Sequence, residues 1–176
     1  MSGDANGPRL VRDLMTVGVP TCPPTTSVPD IARKLLEDDL EGIVVLDIEG
    51  HAVGVVTRKE IIEAYARGDA HSRTAEDIMH PGLPQIPPDI PLSAAAHLML
   101  DSGVRVMYLT HHAGGIEYPA GMISFVHLMR HLVARDQDEL RDLGIKADRE
   151  SPIETFKRKR DEARRQAGLT RTDREE

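Results

Sequence analysis

The order of residues between Val11 and Arg67 returns, degenerately, between Ala75 and Arg135, and this internal duplication limits the possible folds more than any single motif. Asp13-Leu14-Met15 recurs as Asp77-Ile78-Met79, and the same displacement carries Pro20 onto Pro84, Pro23-Pro24 onto Pro87-Pro88, Val28 onto Leu92, and Leu35-Leu36 onto Met99-Leu100. Gly54-Val55-Val56-Thr57 recurs as Gly121-Met122-Ile123-Ser124, pushed further along by a longer hairpin loop. A period near sixty residues exceeds that of solenoid repeats, and two copies are too few for an array, so the pattern predicts a pair related by a pseudo-twofold axis. A unit of about 60 residues buries only about 60% of its unfolded surface, which makes each copy marginal alone and pairing a requirement of stability.

The totals set further limits. With 176 residues, the chain fits two small units and little more. Its single cysteine, Cys22, excludes an intrachain disulfide framework and suits a reducing compartment, the cytoplasm by default. Residues 1–8 carry no apolar core or basic flank for export and are expected to be a disordered lead-in. No stretch approaches the ~18 apolar residues of a membrane span. Net charge is −7, against attraction to phosphate backbones, and the absence of Trp, with three Tyr and two Phe, removes the platforms on which single-stranded nucleic acid stacks. Only residues 151–168, with six basic and three acidic side chains, form a basic segment.

In the first copy, Pro20 and Pro23-Pro24 hem an extended piece at Thr21-Cys22, because proline and the residue before it disfavour helix interior. Ser27 followed by Asp30 predicts a capped helix with Ile31, Leu35 and Leu36 on one face. Ile43 to Leu46, apolar without alternation, predicts a strand covered on both sides. A turn over Asp47 to His51 leads into a returning strand, and Thr57 opens a helix with Ile61, Ile62 and Tyr65 that stops at Gly68. The second copy repeats this β-α-β-β-α order with Gln85-Ile86, a helix around Ala94 to Leu100, strands at Arg105 to Thr110 and Pro119 to Ile123, and a helix from Phe125. Near-heptad apolar spacing predicts that this last helix continues to Leu143, and Ser151-Pro152-Ile153-Glu154 opens another that Gly168 ends. The expected organisation is therefore an α+β fold: repeat 1 over 9–70, repeat 2 over 71–135, and a helical extension and charged tail over 136–176.

From about Val11 to Arg135 the chain resembles the paired cystathionine β-synthase (CBS) domains of a Bateman module, on the strength of the two Asp-x-Met elements, the Pro-rich strands and the Gly54 to Glu60 and Gly121 to His127 segments, in the same order twice. The resemblance implies a non-catalytic regulatory module that binds an adenosine-containing ligand (AMP, ADP, ATP, S-adenosylmethionine or a dinucleotide) between the copies, commonly as a disc-like homodimer. It implies no obligatory cofactor, and the protein it would regulate is not named by the residues. In the family, a Gly-x-x-Thr/Ser-x-x-Asp segment joins the last strand to the last helix; its hydroxyl meets ribose or phosphate and its acid holds the ribose hydroxyls. Thr57 and Ser124 match the hydroxyl. Glu60 is one methylene longer than the usual Asp, and His127 replaces the acid, so the second site is the weaker.

Elementary chemistry agrees in part. Thr57, Arg58 and Lys59 at a helix N-terminus form a phosphate seat, and Glu60 can accept from a sugar hydroxyl. The same Thr57-x-x-Glu60 spacing also makes a capping box, and the sequence leaves both roles open. The resemblance also implies a basic residue at the entry to the strand, able to reach a phosphate across the cleft, and Arg105 matches it, whereas its counterpart Glu41 is acidic and would repel one. Ile43, Val44, Val55, Ile86 and Met107 are candidate adenine walls, although such residues are more often plain core. Cys22 completes the candidate ligand set.

Three rival classes rank lower. His127 and His131, four apart on a helix, with His111-His112 in the hairpin loop, raise a metal site, but no cysteine accompanies them. Lys157 to Arg160 with Arg164-Arg165 raise nucleic-acid binding, yet Asp161 and Glu162 are interleaved as on a solvated helix. Nothing marks a nucleophile elbow, a phosphate loop or an acid and base pair, so an enzyme is the least favoured class. The departures at Glu41, Glu60 and His127 make a ligand-free dimerisation or docking scaffold the main alternative to a sensor.

Overall fold

The computed structural model describes residues 9–113, 116–136 and 138–139. In the first copy the chain runs α1 (Val11–Leu14), β1 (Thr16–Val17), β2 (Thr21–Cys22), α2 (Val28–Glu37), β3 (Gly42–Leu46), β4 (Ala52–Thr57) and α3 (Arg58–Arg67). The second follows with α4 (Ala75–Ile78), β5 (His80–Pro81), α5 (Leu92–Asp101), β6 (Val106–Ala113), β7 (Ile116–Ser124) and α6 (Phe125–Val133). Local chemistry accounts for the helix ends. Ser27 Oγ accepts from the Asp30 N–H at 3.3 Å and donates to its carboxylate, opening α2. Gly68, at φ 81°, takes the left-handed conformation that ends α3.

Two sheets result, ordered β2-β3-β4-β5 and β1-β7-β6. Strands β2 and β3 are parallel and the remaining pairs antiparallel. Gln85-Ile86, expected as a strand, forms only a parallel bridge to Tyr108. It nevertheless matches β2: Val44 N–H donates to Pro20 O at 2.9 Å, and Tyr108 N–H donates to Pro84 O at 2.8 Å. Val44 and Tyr108 are therefore counterparts.

Each sheet takes one of its two edge strands from the other repeat. β1 adds to β7, and β5 adds to β4. The short helices before these strands cross over as well: Val11, Leu14 and Met15 pack with Leu92, Ala95, Met99 and Ile123, while Ala75 and Ile78 pack with Val28, Ile31, Leu35 and Val56. Backbone bonds follow the dyad. Val11 N–H to Ile90 O, Arg12 N–H to Pro88 O and Leu92 N–H to Arg9 O have as counterparts Ala75 to Thr26, Glu76 to Pro24 and Val28 to Arg73, all between 2.8 and 3.0 Å.

The shared glycines explain why this exchange fits. A Cβ on Gly54 would lie 2.7 Å from Met79 Sδ, and one on Gly121 would lie 3.3 Å from Met15 Sδ, so each glycine leaves room for the other repeat's methionine. A third cluster of Val19, Val44, Val55, Val106 and Tyr108 fills the space between the sheets.

One sequence expectation fails at the end of the second copy. Helix α6 stops at Val133, and Ala134 is extended at φ −68°, ψ 129°. Just beyond, Asp136 Oδ1 accepts from the N–H groups of Asp138 and Glu139, at 3.0 and 2.8 Å, a local side-chain bond that competes with continued helix despite the apolar spacing. The expected reach to Leu143 and the tail helix lie outside the described residues.

Candidate functional site

Between the repeats lies a cleft of about 810 Å³, within the range of small-molecule sites. Repeat 1 contributes Glu41, Val55 and the start of α3 from Thr57 to Glu60, with Ile62 and Glu63. Repeat 2 contributes the segment His80 to Pro84, which includes exchanged strand β5, and Ser102 to Val106. Thr57, Arg58, Lys59, Glu60, Val55 and Arg105, all expected from sequence, thus come together.

At the start of α3 the capping box is formed. Glu60 Oε2 accepts from the Thr57 N–H at 2.8 Å and from the Thr57 hydroxyl, and Thr57 Oγ1 accepts from the Lys59 N–H at 3.2 Å. A ligand that took Glu60 would replace these bonds. Arg58 is committed to repeat 1, its Nε donating to Leu40 O at 2.9 Å and its Nη2 to Asp39 at 3.0 Å. Lys59 lies 3.6 Å from Glu63. Arg105 is exposed, and its guanidinium makes no hydrogen bond or ion pair among the described residues. Among the described residues, three carboxylates and three cations line the cleft, but two of the cations already face acids, so these residues give the cavity little surplus positive charge.

Tyr108 stands behind this lining. It is fully buried, and its hydroxyl has no hydrogen-bond partner among the described residues. Its Oη and Thr57 Cγ2 lie 3.0 and 3.2 Å from where a Cβ on Gly42 would sit, which places the hydroxyl beside the start of α3. Burial, and secondarily the Glu60 charge, push its ionisation well above the ordinary phenol range.

Other sequence candidates lie elsewhere. Cys22 and Ile86 are buried in the two repeat cores, where burial pushes the Cys22 thiol up. Ile43, Val44 and Met107 are buried as well, leaving Val55 as the one suggested adenine wall that lines the cleft. Ser124 and His127, at 5% and 7% exposure, are withdrawn from solvent. His127 Nδ1 accepts from the Ser124 N–H at 2.9 Å, which leaves Nε2 to donate to Thr16 Oγ1 at 2.7 Å. With both nitrogens engaged, the ring fastens β1 to α6 and is not free to ligate a metal.

Sequence reasoning missed His80 to Pro84, Ser102 to Val104 and Tyr108. His80 had one signal: it follows Met79 as Thr16 follows Met15, so the dyad puts it beside the Thr57 segment. The model of the CBS domain matches residues 11–67 and again 75–134. The chain belongs to the CBS domain family and is a tandem pair. A 17.7 kDa protein encoded in the bps2 3' region of Acidianus ambivalens is 25% identical over 123 residues, covering 70% of this chain and 73% of its own. Among solved structures, the CBS domain pair of protein MJ0100 in complex with 5'-methylthioadenosine and S-adenosyl-L-methionine aligns with a TM-score of 0.63 at 20% identity, over 72% of this chain and 97% of that one. CBSX2 in complex with AMP aligns at 0.55 and 23% identity, over 70% and 96%.

Proposed function

We propose that this CBS pair is a non-catalytic cytoplasmic sensor that binds an adenosine-type ligand in the cleft at Thr57, Arg58, Lys59 and Glu60, and passes occupancy to a partner protein. The carrying observation is a cleft lined from both repeats, with a helix N-terminus and Glu60 from repeat 1 and the uncommitted Arg105 from repeat 2. A ligand spanning them favours one relative setting of the repeats, and signals to the extent that it binds the two settings with different affinity. The bound adenosine compounds of the MJ0100 pair and CBSX2 support the ligand class.

The charge inventory narrows it. With one uncommitted cation among the described residues that line it, the cleft suits a nucleoside derivative with at most one phosphate better than a triphosphate. No obligatory cofactor is part of this reading. Exposed Ile62 and Tyr65 on α3, with Met129, Leu132 and Val133 on α6, give a dyad-related apolar face for a homodimer, which light scattering tests.

The test is a thermal-shift and calorimetric panel of AMP, ATP, S-adenosylmethionine and 5'-methylthioadenosine. Ligand at about 100 times its dissociation constant stabilises the fold by about 2.7 kcal/mol. No shift with any of the four refutes the sensor and leaves the scaffold, a reading favoured by one observation: the Thr57 and Glu60 side chains already satisfy one another.

A further inference from the structure

Among the described residues, the buried hydroxyl of Tyr108 has no hydrogen-bond partner. Nearly all buried polar groups in native proteins find a partner, and one that does not carries a full desolvation penalty. Phenylalanine would fill the same volume without it. The dyad counterpart, Val44, fills the equivalent place with an apolar side chain, so the fold does not demand a polar group here.

The position is specific. Tyr108 lies on β6 of repeat 2, but its Oη reaches Gly42 of repeat 1, which pairs with Thr57 at the strand end from which α3 begins. Gly42 makes the approach possible, since a Cβ there would stand 3.0 Å from the hydroxyl. The Glu60 carboxylate is close enough for its charge to act on the phenol, but it is turned toward the Thr57 N–H and hydroxyl. Glu60 lines the cleft, and so does Val106, two residues before Tyr108 on the same face of β6.

We propose that Tyr108 is the positioning residue of the occupied cleft: when a ligand's sugar hydroxyls draw Glu60 out of its capping box, the Tyr108 hydroxyl donates to the freed carboxylate and fixes it for the ligand. The bond crosses from repeat 2 to repeat 1 and forms only with ligand present. Tyr108 thereby links occupancy to the contact between repeats, and raises affinity without touching the ligand. This rests on the adenosine reading above.

The experiment compares the full chain with Tyr108→Phe by calorimetric titration of AMP and 5'-methylthioadenosine, alongside thermal unfolding without ligand. The expected result is an unfolding midpoint equal to or above that of the parent, with affinity for the bound probe about tenfold weaker, which is about 1.4 kcal/mol. In a Glu60→Gln background the same substitution should change affinity less than twofold, because the carboxylate through which Tyr108 acts is gone. Tyr118→Phe, at the far hairpin where Tyr118 stacks on His111, should leave binding unchanged. Affinity of Tyr108→Phe within twofold of the parent overturns the proposal. So does an affinity loss that persists in the Glu60→Gln background, or one matched by a fall in the midpoint, the mark of a purely structural role. If the parent binds neither probe, nor ATP nor S-adenosylmethionine, the adenosine reading falls and this inference with it; normal parent binding with an unaffected variant overturns the inference alone.

Discussion

Replacing Gly54 by alanine should disturb the strand exchange directly, with a cost that can be worked from the contacts. A Cβ at this position would meet His80 O at 2.7 Å, Met79 Sδ at 2.7 Å and Met79 Cγ at 3.0 Å. Methionine can change rotamer, but the His80 carbonyl belongs to β5, which Gly54 and Val55 hold in register. Relief therefore requires β5 to move away from β4. Overpacking of this kind costs about 1–3 kcal/mol, while replacing glycine by alanine in an unstrained backbone returns about 0.4–1 kcal/mol through the unfolded chain. The net expectation is a loss of about 1–2 kcal/mol. With a urea slope of about 1.5 kcal/mol per M, the midpoint should fall by about 1 M. Gly121→Ala is the internal control, since its Cβ would meet Thr16 O at 3.0 Å and the Met15 side chain at 3.3 and 3.4 Å. Those milder contacts nearly cancel the unfolded-state gain, so Gly121→Ala should stay within about 0.5 kcal/mol of the parent. Equal midpoints for the two variants, or a Gly54→Ala chain as stable as the parent, would refute the reasoning.

Three other outcomes follow from the geometry. His127→Ala should lower stability by about 1–3 kcal/mol in urea unfolding, because the buried Ser124 N–H and the Thr16 hydroxyl lose a shared partner; unchanged stability would mean that this ring does not fasten β1 to α6. The raised Tyr108 ionisation means that the unfolded phenol, with an ordinary value of 10.0, releases its proton while the folded one keeps it. Its contribution is complete below that value and is lost as pH rises beyond it, by up to about 1.4 kcal/mol per pH unit; unfolding at pH 9 and 11 should therefore show a steeper alkaline decline for the parent than for Tyr108→Phe. Arg105→Ala should weaken AMP about tenfold, the scale of one charge-assisted hydrogen bond, and leave 5'-methylthioadenosine unaffected in calorimetry; equal losses for both would show that Arg105 does not read the phosphate.

The duplication was legible because Asp-x-Met, the paired prolines and Gly-x-x-Thr/Ser recur in order, and with them came the β-α-β-β-α unit and the cap of α3. The exchange was not. Two-residue strands such as β1 and β5 are too short to carry a periodic signal, so nothing in Thr16-Val17 or His80-Pro81 tells which sheet they join. The polar part of the cleft followed from Thr57, Arg58, Lys59, Glu60 and Arg105, whose roles depend on the end of one strand and the start of another. Its apolar part was left open, because Ile43, Val44, Ile86 and Met107 look identical in sequence whether they face a cavity or a core, and here they are buried. The unbroken apolar rhythm past Phe125 concealed the break at Ala134, just before a local aspartate bond that competes with continued helix.

The reciprocal lending of α1 with β1, and of α4 with β5, leaves the polypeptide with no natural seam. A cut at the apparent border, near Gly68, would strip Ala75 and Ile78 from the interior of the first half and leave Val11, Leu14 and Met15 with nothing to cover. Divergence meets the same bond: a new side chain at Met79 is judged by the packing around Gly54, one at Met15 by the packing around Gly121. The two copies have drifted apart in sequence, but each is still bound to accommodate what the other becomes.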